Sequence, residues 1–463
     1  MMYVKRLPEV RYEEGEISSY FWNPEAELMS PEETLALQEK KLRMQLQYLF
    51  DKSELYQEKF KRAGFSPADF GNLPDLDLLP FTTKQELRKS QEESLPFGRH
   101  LAAPLDKVIR VTTTAGTTGR PVVQAYTRND VIRRNESLSR VLWNFGVRPG
   151  DKVFNGFALS MFNAGIPFCT AVENLGAIDV PVGAERRADG FLRLARDIGI
   201  DVLIATPSFV RYLGEKCHEV LGFPATDLNV RVICGGGEPG FDLPGVREEI
   251  MATWGTEHVY DLASMSDAHP NSFANCRFRG GKHQVTPDLV LVQLVDPQTG
   301  RQIEVRDGVV GEYIFTHLDR EACPLLRYRT GDIVRINAKP CECGRPTPRF
   351  DIIGRTDDML IVRGMNVFPS AIQTVVGEFA PKVSGALQIV LDKPGPSVEP
   401  PLNLKVEAAK DFPASQEEQL KNEMESAIHK KLNVRSSIQI VSYGSLQRTE
   451  KKSKLIVIKG EEA

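Results

Sequence analysis

The sequence has no apolar run approaching the ~18 residues that a membrane-crossing helix needs, and no marked excess of either charge. Lysine and arginine number 58 against 62 acidic residues, a net charge of -4. That balance offers neither the basic footprint that nucleic acid requires nor a pull toward an anionic membrane surface. The segment Met1 to Glu16 is mixed and charged and lacks the apolar core of a signal peptide. Cysteine is scarce: 7 in 463 residues, an odd number that makes no disulfide framework and suits a reducing compartment. The pattern GxxxxGK[ST] is missing too, which excludes a Walker-type phosphate loop. These absences leave a soluble cytoplasmic protein with no nucleic-acid and no membrane partner as the expectation. A composition of 41% hydrophobic and 26% charged residues is that of an ordinary globular chain. Its length exceeds what one hydrophobic core sustains, so about two to four domains or subdomains are expected.

What is present is concentrated first in Thr112-Thr113-Thr114-Ala115-Gly116-Thr117-Thr118-Gly119-Arg120-Pro121. The stretch lies between two β-like runs, Val108–Val111 and Val122–Thr127. A hairpin loop of this composition offers backbone N–H groups and hydroxyls on one concave surface, with Arg120 adding a fixed positive charge. Those are the donors that a polyphosphate needs. A Gly/Thr-rich surface hairpin is the plain structural reading of the same residues.

Before the loop, Ser30-Pro31-Glu32-Glu33 predicts a capped helix to about residue 50, and a second helix runs over Ser53–Ala63 to Gly64. After it, helical stretches (Asn129–Gly146, Ala164–Leu175, Ala188–Ile198) alternate with apolar runs at 152–159, 176–181, 202–205 and 230–234. Alternation of this kind predicts an α/β architecture with parallel sheets, whose ligands sit beyond the carboxyl ends of the strands. Gly235-Gly236-Gly237-Glu238-Pro239 falls at such an end, where glycines admit a flat ligand close to the backbone; a glycine-rich turn is the other reading. Phe157, Phe162 and Pro207 are also near strand ends, as candidates for an aryl pocket or as ordinary core. Turns at Asp296–Gly300 and Asp307–Glu312 mark a β-rich part. Beyond it, Asp332 in Arg327-Tyr328-Arg329-Thr330-Gly331-Asp332 can accept two hydrogen bonds from vicinal hydroxyls. Cys276, His283 and the Cys341-Glu342-Cys343-Gly344 knuckle make a Cys3His set of the kind that holds tetrahedral zinc.

Together these motifs resemble the adenylate-forming superfamily, and in particular the phenylacetate-CoA ligase family. The carriers are Ala115–Pro121, Leu79-Pro80-Phe81-Thr82-Thr83-Lys84, the GGEP segment, Tyr260–Asp267, Arg327–Asp332, Gly354–Pro369 and Leu446–Lys454. The resemblance implies an ATP-dependent, AMP-forming ligase that joins an aryl or arylacetic acid to CoA. It places ATP phosphates on Thr113, Thr114, Gly116, Thr117, Thr118, Gly119 and Arg120. Adenine falls against Gly236, Gly237, Glu238, Pro239 and Tyr260 with Asp261 beside it, and the nucleotide's ribose and phosphates against Asp332 and Arg355. Lys452 takes the position of the catalytic lysine, with Arg448 matching in charge, and Asp357 that of the hinge. Asp267 is the candidate Mg2+ ligand, with a helix-capping aspartate as its rival, because Ser264 stands where many relatives carry glutamate. A structural Zn2+ on Cys276, His283, Cys341 and Cys343, and a homodimer, are implied as well. Lys451 and Gln447 depart from the family's glycine and proline. An adenylyltransferase acting without CoA, or a non-catalytic nucleotide-binding relative, are the alternatives.

The expected fold is therefore α/β: a large N-terminal domain of mixed and parallel sheets over 1–353, with a small mobile α+β C-terminal domain over 354–463. Within the first, an arm and helices occupy 1–78, the α/β core about 79–260 and a β-rich, zinc-holding part about 261–353. The hinge lies near 357.

Overall fold

Helix starts follow their caps, as the sequence predicts. In the computed structural model, which describes residues 20–114, 121–243, 245–362, 365–393, 395–446 and 455–459, Pro24–Glu27 (α1) is a single turn. Ser30 then caps Pro31–Lys52 (α2): its hydroxyl accepts from the Glu33 N–H at 3.2 Å, and its own N–H donates to the Glu33 carboxylate at 3.0 Å. Glu54–Ala63 (α3) stops at Gly64 with φ 63°, a left-handed C-cap. Thr83 and Glu86 repeat the capping box at Lys84–Glu93 (α4).

Val108–Thr113 (β1) and Val123–Thr127 (β2) form an antiparallel hairpin apart from the main sheet. Arg128–Asn144 (α5) starts directly after β2. The chain then alternates through Lys152–Asn155 (β3), Ile166–Leu175 (α6), Ile178–Val180 (β4), Arg187–Ile198 (α7), Val202–Ala205 (β5), Pro207–Leu221 (α8), Val232–Gly236 (β6), Val246–Trp254 (α9) and Val259–Ala263 (β7). Strands β4, β3, β5, β6 and β7 run parallel in that spatial order. Leu142, Phe168 and Val172 of α5 and α6 pack within one core cluster, and Phe191, Leu213 and Trp254 of α7, α8 and α9 within another. Helices on both faces explain why β5 is buried at every position and reads as an unbroken apolar run.

The β-rich stretch turns out to be continuous with this core. Leu262 and Ala263 of β7 pair antiparallel with Phe273–Asn275 (β8), so the hydrogen-bond ladder continues where an exposed edge would otherwise stand. Lys282–Gln284 (β9), Val290–Val295 (β10), Val310–His317 (β11), Tyr328–Asn337 (β12) and Arg349–Arg355 (β13) complete one sheet of 11 strands, ordered β10-β11-β12-β13-β9-β8-β7-β6-β5-β3-β4.

Residues from Leu360 onward build a separate core. They comprise Leu360–Val362 (β14), Met365–Val367 (β15), Pro369–Gly377 (α10), Val383–Leu391 (β16), Ser397–Val398 (β17), Leu402–Ala408 (β18), Glu417–Leu432 (α11), Ser436–Val441 (β19) and Ile456–Ile458 (β20). This α+β unit leans on α8: the Arg211 guanidinium donates to the Ser384 carbonyl at 2.6 Å, and the Tyr443 hydroxyl to Glu215 at 2.9 Å. Among the described residues no helix is long and apolar enough to cross a membrane.

The short α1 is held by an ion pair that sequence periodicity does not foreshadow. Arg345 donates to Glu27 at 2.5 Å with both side chains almost fully buried, and Arg345 also reaches Asn144 at 2.8 Å. Burial raises the Glu27 pKa in spite of the Arg345 charge, so the pair depends on its geometry. Arg345→Ala leaves a buried carboxylate unpaired and is expected to cost about 3–5 kcal/mol in urea unfolding; a loss below ~1 kcal/mol would mean that the pair opens to water.

Candidate active site

The ends of the threonine-rich loop are clamped before it begins. Thr113 N–H donates to the Met161 carbonyl at 2.9 Å; Thr114 N–H donates to the Val122 carbonyl at 3.0 Å, and Val122 N–H returns to the Thr114 hydroxyl at 3.1 Å. Gln91 holds the far side, accepting from Val123 N–H at 2.8 Å. Gly116, Thr117, Thr118, Gly119 and Arg120 lie outside the described residues, as do Arg448 and Lys452.

The glycine segment closes β6 in the expected manner. A Cβ on Gly235 would fall on the Ala205 carbonyl oxygen, and one on Gly236 on that of Leu262, so neither position accepts another residue. Gly237 has φ 90° and is exposed, forming a backbone shelf at the strand end. The Glu238 carboxylate turns back to accept from Ser208 N–H at 2.8 Å at the start of α8, and Pro239 is exposed.

Three expected side chains stand elsewhere than at an open site. Tyr260 is buried, its ring stacked on Phe145 at 5.0 Å and carrying the Arg279 guanidinium at 5.0 Å, so these contacts occupy the ring that adenine was expected to use. Asp261 pairs with Lys282 at 2.8 Å, and Lys282 also reaches Asp242 at 2.5 Å. Asp267 is 3% exposed, and both of its oxygens accept hydrogen bonds, from Gln124 at 3.2 Å and the Tyr328 hydroxyl at 3.1 Å. Burial raises its pKa. A hydrated magnesium ion keeps several waters and needs an open carboxylate; a sealed and doubly bonded Asp267 does not fit one. Nor does it cap a helix, since no described helix starts there. Of the aryl-pocket candidates, Phe157 is core, stacked on Phe168 at 5.7 Å; Phe162 is 43% exposed; Pro207 opens α8.

At the other side of the sheet three expected residues meet. Register puts Asp332 on β12 opposite Arg355 on β13. The Arg355 guanidinium donates to Asp332 and takes both oxygens of Asp357, at 2.8 and 3.2 Å. Gly331, at φ 76°, makes the bend, and its carbonyl accepts from Thr356 N–H at 2.7 Å.

The Cys3His set also converges. One ligand atom from each of Cys276, His283, Cys341 and Cys343 lies within 4.8 Å of all the others. Cys276 and Cys341 sulfurs are 3.5 Å apart, and Cys343 Sγ is 3.4 Å from His283 Nε2. His283 Nδ1 lies 2.8 Å from the Thr347 carbonyl, which fixes that nitrogen as the donor and turns Nε2 toward the sulfurs. Three thiols and one imidazole at this spacing fit tetrahedral zinc.

Sequence reasoning missed a hydrogen-bond chain beside the loop. Thr112 Oγ1 donates to the Tyr126 hydroxyl at 3.3 Å, Tyr126 donates to Asn163 Oδ1 at 3.3 Å, and Asn163 Nδ2 to the Ser266 carbonyl at 3.0 Å. The only signal was alternation: Gln124 and Tyr126 share one face of β2, and both side chains are buried and polar-tipped.

The structure thus shows a β1–β2 hairpin, a glycine shelf at the end of β6 and an aspartate–arginine pair across β12 and β13, and comparison with known proteins gives the class: an adenylate-forming enzyme. Residues 364–459 match the AMP-binding enzyme C-terminal domain family. The chain belongs to the phenylacetate-coenzyme A ligase family. It is 34% identical to the enzyme of that name from Thermus thermophilus, over 84% of this chain and 85% of the relative. It is 32% identical to the one from Escherichia coli, over 92% and 95%. Among solved structures it resembles 2-hydroxyisobutyryl-CoA ligase in the postadenylation state, in complex with R3-HIB-AMP. There the TM-score is 0.87 at 26% identity, covering 98% of this chain and 96% of that one. Against the same protein in its thioesterification state the TM-score is 0.70, so the arrangement seen here is nearer the postadenylation state.

The buried triad gives a pH test. Asp261, the more enclosed of the two acids on Lys282, is pushed up to about 7, mainly by burial, whereas Lys282 holds the more open Asp242 below its ordinary value. A raised carboxyl favours folding fully below its unfolded pKa of 3.8 and loses that contribution as pH rises through about 7. In Asp261→Asn the urea midpoint is therefore expected to fall less than wild type between those two pH values; parallel curves would refute the assignment.

Proposed function

We propose that this protein is an ATP-dependent, AMP-forming CoA ligase that activates an aryl or arylacetic acid. Its likeness over nearly the whole chain to a CoA ligase holding an acyl-adenylate carries this reading. A carboxylate oxygen attacks the α-phosphorus of ATP, the bond to the β-phosphate breaks, and pyrophosphate leaves. The CoA sulfur then attacks the acyl carbonyl, and AMP departs with the oxygen that joined it. Such chemistry needs charge neutralisation and in-line positioning more than a general base.

In this reading the hairpin loop, Thr113 to Arg120, grips the phosphates, and Arg120 neutralises charge. The shelf Gly236-Gly237-Glu238-Pro239 takes the adenine, and Asp332 the ribose hydroxyls with Arg355 behind it. Lys452, with Arg448 nearby, stabilises the adenylation transition state. Residues 354–463 then turn against 1–353 about Asp357, withdrawing Lys452 and admitting CoA. Cys276, His283, Cys341 and Cys343 would hold Zn2+, which with all four positions filled by protein supplies a cross-link between β8, β9 and the 341–345 loop. A cytoplasmic location accords with described cysteines that are all unpaired. A homodimer rests on the family resemblance.

Pyrophosphate and AMP release should require one acid of an aryl panel together with CoA for full turnover; release indifferent to CoA would point to an adenylyltransferase. Lys452→Ala should lower adenylation at least ~100-fold while sparing thioester formation from supplied acyl-AMP, and loss of both half-reactions or neither would refute the role. Metal analysis should find one zinc per chain, lost in Cys343→Ser; a metal-free, stable wild type would refute the site.

A further inference from the structure

The N-terminal segment 20–28 meets neighbours of the Cys3His set at both of its ends. The Arg277 guanidinium covers the Tyr20 ring, 4.1 Å from its centroid, and Arg277 directly follows Cys276. Phe21 carries the Arg345 guanidinium at 4.7 Å, and Arg345, two residues after Cys343, also pairs with Glu27. Leu28 sits over Gly344, where an added Cβ would lie 3.8 Å from its Cδ2. Asn144 of α5 joins the two sides of the set: it accepts from Arg345 at 2.8 Å and donates to the carbonyl of Asn275, just before Cys276.

Neither the segment nor its platform has much structure of its own. Regular structure in the segment is the 4-residue turn α1, far short of the ~12 residues below which an isolated helix is marginal even in favourable sequences. Residues 338–348, between β12 and β13, contain no helix or strand, and Cys341, Cys343 and Arg345 all lie there. A stretch of this kind takes its shape from what clips it. An ion held by Cys341 and Cys343 from the loop, and by Cys276 and His283 from beside and within the sheet, is such a clip. Without it, three thiols and an imidazole within 4.8 Å of one another have only weak sulfur hydrogen bonds to hold them. We propose that Zn2+ on this set docks the N-terminal segment. Loaded, the set fixes Arg277 and Arg345 as the platform for Tyr20, Phe21 and Glu27; stripped, it frees 20–28 while the rest of the chain stays folded. The other hold on the segment, Trp22 and Asn23 donating to Glu136 of α5 at 2.8 and 3.1 Å, is only partly buried and does not secure it alone. Resting on the zinc reading of the set, this coupling is reciprocal: a segment docked by zinc tightens zinc by the same factor.

Hydrogen–deuterium exchange of the full-length protein, zinc-loaded and then stripped with EDTA, is the first test. The amides of Ala26, Glu27 and Leu28, which donate to the carbonyls of Asn23 and Pro24, are expected to exchange at least about tenfold faster on stripping. Those of β16 and β18 should keep their rates. In the second test wild type and two segment variants compete for zinc against a chromogenic chelator. Phe21→Ala is expected to bind zinc at least about fivefold more weakly, and Tyr20→Ala about twofold. Both changes leave the ligands and their loop unaltered, and Tyr20 is 40% exposed, so its variant is expected to fold. Exchange of 20–28 unchanged by stripping, or zinc affinity equal to wild type in both variants, would overturn the coupling. Faster exchange throughout the chain would overturn it too, as global unfolding. A wild type that takes up no zinc would overturn the zinc reading itself, whereas a zinc-loaded protein whose segment ignores the metal would overturn the coupling alone.

Discussion

One guanidinium, that of Arg355, ties the large sheet to the C-terminal unit. It bridges Asp332 on β12 and Asp357 in the turn after β13, and it is held in place by the β12–β13 register. Bidentate geometry on Asp357 fixes the direction in which the chain leaves the sheet. The next contacts depend on that direction: Ser370 donates to the Ile353 carbonyl at 2.5 Å, and Phe368 closes over Gly354, where a Cβ would collide with its ring. The C-terminal core then meets α8 through Arg211 and Tyr443. Asp332 and Asp357, the proposed ribose ligand and the proposed pivot, thus share one cation.

The rest of the site hangs on strand ends. Parallel strands β5, β6 and β7 approach closely enough at Ala205, Gly235 and Asp261 that only glycine fits in the middle strand. Continuation of the same ladder through β8 and β9 carries Cys276 and His283 to the 341–343 knuckle, two residues before Arg345, which buries against Glu27. Helix α1 is therefore tied to the middle of the sheet by way of the 341–345 loop.

Much of this was legible because the signals are local. Capping boxes at Ser30 and Thr83, the stop at Gly64, the β5 apolar run and the glycines after β6 all act within a few residues. The β-rich stretch was recognised as strands, but its fusion with the parallel core was not, because pairing of Leu262 with Ala274 leaves no mark in composition. Asp267 and Tyr260 stand in segments whose residue types fit ligand binding. Their burial is set by Gln124, Tyr328, Phe145 and Arg279, partners that come from other strands and helices.

By itself, then, the sequence determined the order of helices and strands, the glycine-rich end of β6, the Cys3His donor set and the aspartate and arginine types at β12 and β13. Each of these depends on neighbours close in the chain or on the chemistry of one side chain. Only the tertiary structure decided that Arg355 would span two aspartates, that Asp267 would be sealed, and that Arg134 would lie buried against Tyr126 with no hydrogen-bond partner for its guanidinium among the described residues. Burial and charge pairing are properties of the packed interior, set by groups as much as 318 positions apart, as with Arg345 and Glu27. No local pattern encodes which of them will find a partner.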